Sequence, residues 1–110
     1  MIGGVFSTLK ESAYAQLYLT ISNVFMSYSD FPCEEKIRYS PKEEYALYLE
    51  KYAKAFKLYD HIDFNTTVKE AKLDGKWRVT TDKGVYEADS LIVATGSNQV
   101  PKPIPKEIAK

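Results

Sequence analysis

The sequence predicts an α/β fold that combines one long amphipathic helix, a three-stranded antiparallel β-meander and a final strand of the kind found in parallel sheets. The helix is indicated by apolar residues that recur at helical spacing between positions 40 and 58. The meander is indicated by an alternating pattern that begins near residue 61 and is interrupted by glycine-containing turns. The last strand is indicated by the unbroken apolar run at residues 91–94. Because 110 residues is the length of one small domain, we expect residues 1–110 to form a single domain.

The stretch SPKEEYALYLEKYAKAFKL, residues 40–58, carries the signals of a helix with a defined start. Ser40 is a favourable N-cap, Pro41 suits the first helical position, and Glu43 lies where a capping box places its carboxylate. One face of the helix is apolar and is expected to pack in the core rather than bind a ligand; it comprises Tyr45, Tyr48, Leu49, Tyr52, Ala53 and Phe56. The opposite face carries Glu50, Lys51, Lys54 and Lys57.

Three strands are expected after the helix. HIDFNTTVKEAKL, WRVTT and VYEA supply the strand patterns, and Asp74-Gly75 and DKG supply the turns between them. The run Leu91–Ala94 is typical of a strand buried on both faces, yet the chain contains no other strand of that kind for it to pair with. Upstream, residues 7–26 are expected to be partly helical, and residues 27–41 to form a long loop.

Composition excludes several classes of function. Lys plus Arg and Asp plus Glu both number 15, so the chain lacks the basic excess that a nucleic-acid or anionic-membrane surface needs. No apolar run is long enough to span a membrane. Cys33 and His61 are the only residues of their kinds, so no internal disulfide or metal site is expected, and a cytoplasmic location fits the lone thiol. A surface histidine and a half-buried thiol are simpler interpretations than a catalytic Cys–His pair.

Several short segments, in this order along the chain, resemble the flavin-containing monooxygenases. They are GGVF, YLTISNVFM, YSDFP, YLEKYAKAF, IDFNTTV, WRVTT and LIVATGSNQVPKPIP, and they cover residues 3–105. The combination of YSDFP with SN upstream and ATG downstream is more specific than any one of these motifs alone.

The resemblance implies a partial FAD-binding domain with a Rossmann-like fold. In that family a strand and a G-x-G-x-x-G turn place the FAD pyrophosphate at a helix N-terminus, and neither occurs in these 110 residues. The NADPH domain and its F-x-G-x-x-x-H fingerprint are also absent from the sequence. We therefore expect residues 1–110 to form the second part of an FAD domain, in which Leu91–Ala94 would pair with a strand outside the chain.

The resemblance also implies roles for individual residues near the flavin ring. Gly4, Val5 and Phe6 match the segment that lies against the flavin, with Phe6 where many members have Trp. Ser22 and Asn23 match a Ser/Thr-Asn pair beside the flavin ring and the nicotinamide. Asn23 is implied as the catalytic residue, because a carboxamide can donate and accept hydrogen bonds at once.

Two further sets of residues are implied to bind the rest of the FAD. Val68 matches a position whose backbone amide and carbonyl pair with the adenine edge. Ala94, Thr95 and Gly96 match the loop that passes the FAD diphosphate and adenosine, where small side chains allow a close approach.

The implied activity is the oxygenation of soft nucleophiles (amines and sulfides) by an enzyme that uses FAD and NADPH and forms a flavin C4a-hydroperoxide. A small-molecule substrate is the implied partner of the complete enzyme, and the 110-residue chain alone is expected to be inactive. Alternatives are a non-catalytic remnant or interaction module whose unpaired run Leu91–Ala94 accepts a strand of a partner protein, or a Baeyer–Villiger or N-hydroxylating relative. Self-association through Leu91–Ala94 is also expected. A disulfide-reductase-like enzyme would need a pair of redox cysteines, whereas Cys33 stands alone.

Overall fold

The computed structural model describes residues 2–7 and 16–96. The chain divides into two compact units, Met1–Phe64 and Asn65–Lys110. Of residues 7–26, which are predicted to be partly helical, residues 8–15 lie outside the described residues, and Asn23–Met26 form a short helix. The VPKPIP segment, residues 100–105, also lies outside the described residues. The longest described helix has 14 residues, and none in this part of the chain is long and apolar enough to cross a membrane.

The first unit is helical. It contains a 3-10 turn at Gly4–Phe6, a short helix α1 at Asn23–Met26, the long helix α2 at Lys42–Ala55, and a second 3-10 turn at Leu58–His61. Three apolar side chains are buried among the described residues: Leu19, Ala46 and Ala53.

The long helix is confirmed, but its predicted capping is wrong. Pro41 occupies the N-cap position and no side chain caps the helix, so Ser40 lies one residue before the cap. Ser40 is instead held by a non-local pairing: its carbonyl accepts the Leu19 N–H at 2.9 Å, and the Lys42 N–H donates to the Leu17 carbonyl at 3.0 Å. The pairing with residues 17–19 thus fixes where α2 begins.

The end of α2 also differs from the prediction. Phe56 follows the last helical residue, and Lys57 adopts a left-handed conformation with φ of 53°. The Phe56 side chain is 42% exposed, so its predicted place in the core is wrong. The deeply buried member of the predicted apolar face is Ala53, which is only 1% exposed.

Three tyrosines of α2 hold the preceding loop through their hydroxyl groups. The Tyr48 hydroxyl donates to the Phe31 carbonyl at 2.7 Å and accepts the Tyr28 N–H at 2.6 Å. The Tyr52 hydroxyl donates to Asp30 Oδ2 at 3.2 Å, and the Tyr45 hydroxyl donates to the Met26 carbonyl at 3.4 Å. Residues at helical spacing therefore tie down one continuous segment, which includes the YSDFP turn.

The second unit contains the predicted meander, but its first strand begins at Val68 rather than at His61, which lies in the second 3-10 turn. Strands β1 (Val68–Asp74), β2 (Lys76–Thr81) and β3 (Val85–Ala88) pair antiparallel in the order β1-β2-β3. Gly75, with φ of 68°, makes the first turn, where a left-handed conformation favours glycine. In the second turn the Thr81 hydroxyl donates to the Gly84 carbonyl at 2.8 Å.

The final parallel strand is not confirmed. Residues 89–96 belong to no helix or strand, and Ile92 and Val93 are 89% and 73% exposed. A strand forms only against a hydrogen-bonding neighbour, and none of the described residues pairs with this run. Its place in a parallel sheet stays a prediction.

Candidate functional site

The Ser22-Asn23 pair lies at the start of α1, with Ser22 as N-cap and Asn23 as the first helical residue. Asn23 is buried, with 7% of its surface exposed. Its backbone N–H donates to the Arg38 carbonyl at 2.9 Å, which joins α1 to the loop that precedes α2. The pair is therefore held in place by contacts that are distant in sequence.

The Asn23 carboxamide makes four hydrogen bonds inside the protein. Its Oδ1 accepts the Val24 and Arg38 backbone N–H groups, each at 3.0 Å. Its Nδ2 donates to the Lys36 carbonyl at 3.0 Å and to Cys33 Sγ at 3.4 Å. These bonds use both donors and both acceptor positions of the group.

Ser22 presents the opposite situation. Its hydroxyl oxygen is buried and has no hydrogen-bond partner among the residues described. A hydroxyl removed from water without a partner costs about 1–3 kcal/mol. Of the two neighbours, Ser22 is the one whose polar group is not engaged by another described residue.

The Gly4–Phe6 segment packs against α2. Gly3 precedes it with φ of 116°, and Gly4 itself has φ of 52°. The Phe6 ring lies edge-on to the Tyr45 ring, with centroids 4.9 Å apart, a favourable aromatic geometry. Part of the Phe6 surface is thus used by α2, while Val5 is 47% exposed.

A cavity of about 440 Å³ lies in the first unit, within the size range of small-molecule sites. Asn23 contributes to its lining, as do the aromatic side chains Phe31, Tyr45 and Tyr48. The remaining lining residues are Leu19, Asp30, Pro32, Cys33, Glu34, Glu35, Ser40, Glu44 and Lys51. The apolar pattern predicts that the aromatic face of α2 packs in the core, and it does not predict this cavity. The tyrosines that recur on that face carry hydroxyl groups, which are the sequence signal for a partly polar cavity.

An ion-pair network spans the loop and α2 beside this cavity. Arg38 contacts Glu35 Oε2 at 2.7 Å and Glu44 Oε1 at 3.0 Å. Desolvation raises the pKa of Glu44, but hydrogen bonds from Ser40 and Arg38 and the Arg38 charge together lower it below its ordinary value. The hydrogen bonds that Arg38 donates to Glu35 and Glu44, together with the negative charge of both carboxylates, raise the pKa of Arg38. Glu44 is therefore ionised at neutral pH.

The other predicted cofactor residues lie in the second unit. Val68 begins β1, which is an edge strand of the meander, and its side chain is 59% exposed. Ala94, Thr95 and Gly96 follow the meander in an exposed segment, and Gly96 has φ of 81°, a left-handed conformation that favours glycine. The structure thus brings Gly4–Phe6, Ser22 and Asn23 into one unit and the remaining four residues into the other.

Comparison with known proteins identifies the family. The profile of the pyridine nucleotide-disulphide oxidoreductase family matches residues 8–110. The chain belongs to this family. Within it, the similar proteins support a fragment of the flavin-dependent monooxygenases.

Three relatives illustrate that similarity. A 4-hydroxybenzoate brominase (decarboxylating) from Marinomonas mediterranea is 41% identical over 91% of this chain and 20% of its own length. A probable indole-3-pyruvate monooxygenase from Arabidopsis thaliana is 39% identical over 86% of the chain and 24% of its length. Flavin-containing monooxygenase 1 from Oryctolagus cuniculus is 34% identical over 86% and 21%. The chain thus spans about a fifth of the length of these relatives, and no solved structure matches it significantly.

Membership of this family implies flavin and nicotinamide cofactors, and the residues fit a flavin in part. The buried Ser22 hydroxyl lacks a partner in the described part of the chain, as expected of a group that meets a ligand. The Asn23 carboxamide fits less well, because each hydrogen bond to a flavin would replace one of its four internal bonds. The catalytic role of Asn23 therefore stays a prediction.

Proposed function

We propose that this chain forms part of an FAD- and NADPH-dependent monooxygenase that oxygenates soft nucleophiles such as amines and sulfides. FAD, reduced by NADPH, would supply the redox chemistry and activate dioxygen as a C4a-hydroperoxide. The supporting observation is the Ser22 hydroxyl, which is buried without a partner in the described residues and adjoins a residue that lines the cavity. A small-molecule substrate and a cytoplasmic location belong to the same proposal.

The chain's own residues would bind and orient the cofactor rather than transfer protons. Gly4, Val5 and Phe6 would lie against the flavin together with Ser22. The backbone of Val68 would pair with the adenine edge. The Ala94, Thr95 and Gly96 segment would pass the diphosphate and adenosine, because small side chains leave the backbone accessible.

The role of Ser22 is testable in a chimera in which this chain replaces the matching segment of the rabbit flavin-containing monooxygenase 1. Ser22→Ala should weaken FAD binding about fivefold to tenfold, the loss of roughly one hydrogen bond. Ser29→Ala, at an exposed serine in the same unit, is the matched control and should bind FAD normally. Bound FAD is measured by its absorbance after gel filtration at several FAD concentrations.

The activity itself is tested in the same chimera with a tertiary amine as substrate. NADPH-dependent formation of the N-oxide is expected. If the chimera is folded and holds FAD, yet forms no oxygenated amine or sulfide, the proposed reaction is wrong even if Ser22 contacts the cofactor.

The predicted catalytic role of Asn23 has a distinct signature in this chimera. Asn23→Ala should retain FAD and continue to oxidise NADPH, while oxygenated product falls and hydrogen peroxide rises. Loss of one preorganised hydrogen bond of this kind raises the barrier by about 3 kcal/mol. The measurement is the amount of oxygenated product and of hydrogen peroxide formed per NADPH consumed. If both ratios are unchanged in Asn23→Ala, the predicted catalytic role of Asn23 is wrong.

A further inference from the structure

Asn23 connects two segments that are separated along the chain. Its backbone N–H and its side-chain Oδ1 both bond to Arg38, as donor and acceptor respectively, so the two residues form a reciprocal pair. Its Nδ2 reaches the Lys36 carbonyl and Cys33 Sγ in the same loop. One buried side chain thus contacts three positions within residues 33–38.

This loop forms one wall of the cavity. Cys33, Glu34 and Glu35 contribute to the lining. At the end of the loop, the Arg38 guanidinium lies 3.0 Å from the carboxylate of Glu44 in α2, a residue that also lines the cavity. The position of the loop wall therefore depends on contacts at residues 33–38, and Asn23 supplies four of them.

We propose that Asn23 is a positioning residue, whose carboxamide holds residues 33–38 against the start of α1 and thereby fixes the loop wall of the cavity. An outward hydrogen bond to a ligand would leave a buried backbone or side-chain group without a partner, which is unfavourable. The role requires no cofactor, so it does not depend on the proposed monooxygenase activity, and it is an alternative to the catalytic role predicted for Asn23.

Cys33 provides a local reporter for this proposal. It is the only cysteine of the chain, it is half-buried, and it contacts Asn23 Nδ2 directly. A maleimide reacts faster with the thiol when the loop exposes it more fully, so an increase in the labelling rate reports local opening. In the 110-residue chain, Asn23→Leu should speed labelling by about tenfold or more, the factor that corresponds to losing a buried hydrogen bond.

Asn23→Asp tests the donor and the acceptor of the carboxamide separately. An aspartate retains an acceptor for the Val24 and Arg38 N–H groups but directs a second oxygen at the Lys36 carbonyl, where an amino group had donated. Labelling of Cys33 should therefore accelerate, while hydrogen exchange in a peptide covering residues 37–40 stays slow. In the Leu variant, exchange in that peptide should also accelerate.

Ser22→Ala is the matched control, because it removes a neighbouring buried hydroxyl that makes no hydrogen bond within the described residues. Its labelling rate should equal that of the unmodified chain. Helical circular dichroism from α2 shows whether each variant remains folded, and if the Leu variant does not, the Asp variant alone decides. Labelling of a folded Asp variant at the unmodified rate would overturn the proposal.

Discussion

At the scale of single residues, Tyr48 fixes a turn by using both functions of its hydroxyl group. It accepts the Tyr28 N–H and donates to the Phe31 carbonyl, the two residues that also bridge each other across the turn. A phenylalanine fills the same space and keeps the ring contact with Phe31, whose centroid lies 5.7 Å away. The hydroxyl therefore contributes separately from the ring.

Tyr48→Phe should lower the free energy of unfolding by about 1–2 kcal/mol, because the Tyr28 N–H and the Phe31 carbonyl lose a shared partner. Tyr59→Phe is the control, since Tyr59 is 39% exposed and its ring lies against Phe64 at 5.9 Å. Its effect should stay within about 0.5 kcal/mol. Urea denaturation followed by circular dichroism provides both values, and equal effects would mean that the hydroxyl does not hold the turn.

The same hydroxyl makes the turn sensitive to alkaline pH. Desolvation raises the pKa of Tyr48 above its ordinary value of 10.0. The hydrogen bond from the Tyr28 N–H lowers this pKa, and electrostatic interactions with Tyr28, Asp30 and Cys33 raise it, so that the net shift is upward. A group whose pKa is higher in the folded state contributes stability that is present below its unfolded pKa and lost as pH rises through its folded pKa. Stability should therefore fall above about pH 10. Thermal unfolding from pH 8 to 11 should show a smaller decline in Tyr48→Phe than in the unmodified chain.

At the scale of secondary structure elements, the most buried apolar side chains of α2 are small ones rather than its aromatic ones. Ala53 and Ala46 are 1% and 7% exposed, whereas the neighbouring tyrosines remain half-buried with their hydroxyl groups bonded to the loop. The space beside Ala53 is therefore filled, and a larger side chain there must displace its surroundings.

Ala53→Leu should destabilise the protein by about 1–3 kcal/mol through overpacking. The control is Ala55→Leu in the last turn of the same helix, where the side chain is exposed. Both substitutions exchange the same residue types with similar helix propensity, so the difference isolates burial. Ala55→Leu should change stability by less than about 0.5 kcal/mol. Denaturant midpoints that shift equally in the two variants would show that Ala53 is not enclosed.

The sequence predicts elements well where local chemistry determines them. The meander follows from alternation and from Asp74-Gly75, whose left-handed glycine makes the turn in any context. The sequence pattern misplaces the N-cap of α2, because residues 17–19 pair with residues 40–42 and set the residue at which the helix begins. The helical pattern predicts that Phe56 is buried, whereas it is 42% exposed, because the helix ends there and Lys57 adopts a left-handed conformation. Both errors arise from interactions that a helical period cannot encode.

At the scale of the whole molecule, the candidate site is predictable only in part. The resemblance points to the Ser22-Asn23 pair, but it does not predict that the Asn23 carboxamide is fully bonded, largely to residues 33–38, or that the Ser22 hydroxyl lacks a partner among the described residues. The cavity depends on the same tertiary contacts. Each unit also leaves apolar side chains in contact with water, such as Phe25 at 83% and Ile92 at 89% exposure. Such surfaces favour association with another chain or segment.

The run Leu91–Ala94 is the part of this surface with the strongest β propensity, so we expect the purified 110-residue chain to self-associate through it. Val93→Lys places a charge in the run. Because Val93 is 73% exposed, the substitution removes no buried side chain. It should weaken association at least about tenfold, because a charge on a pairing strand must be desolvated or displaced. Ser90→Lys adds the same charge just outside the run and should leave association nearly unchanged. Sedimentation velocity over a range of concentrations measures both, and association that survives Val93→Lys would place the contact elsewhere.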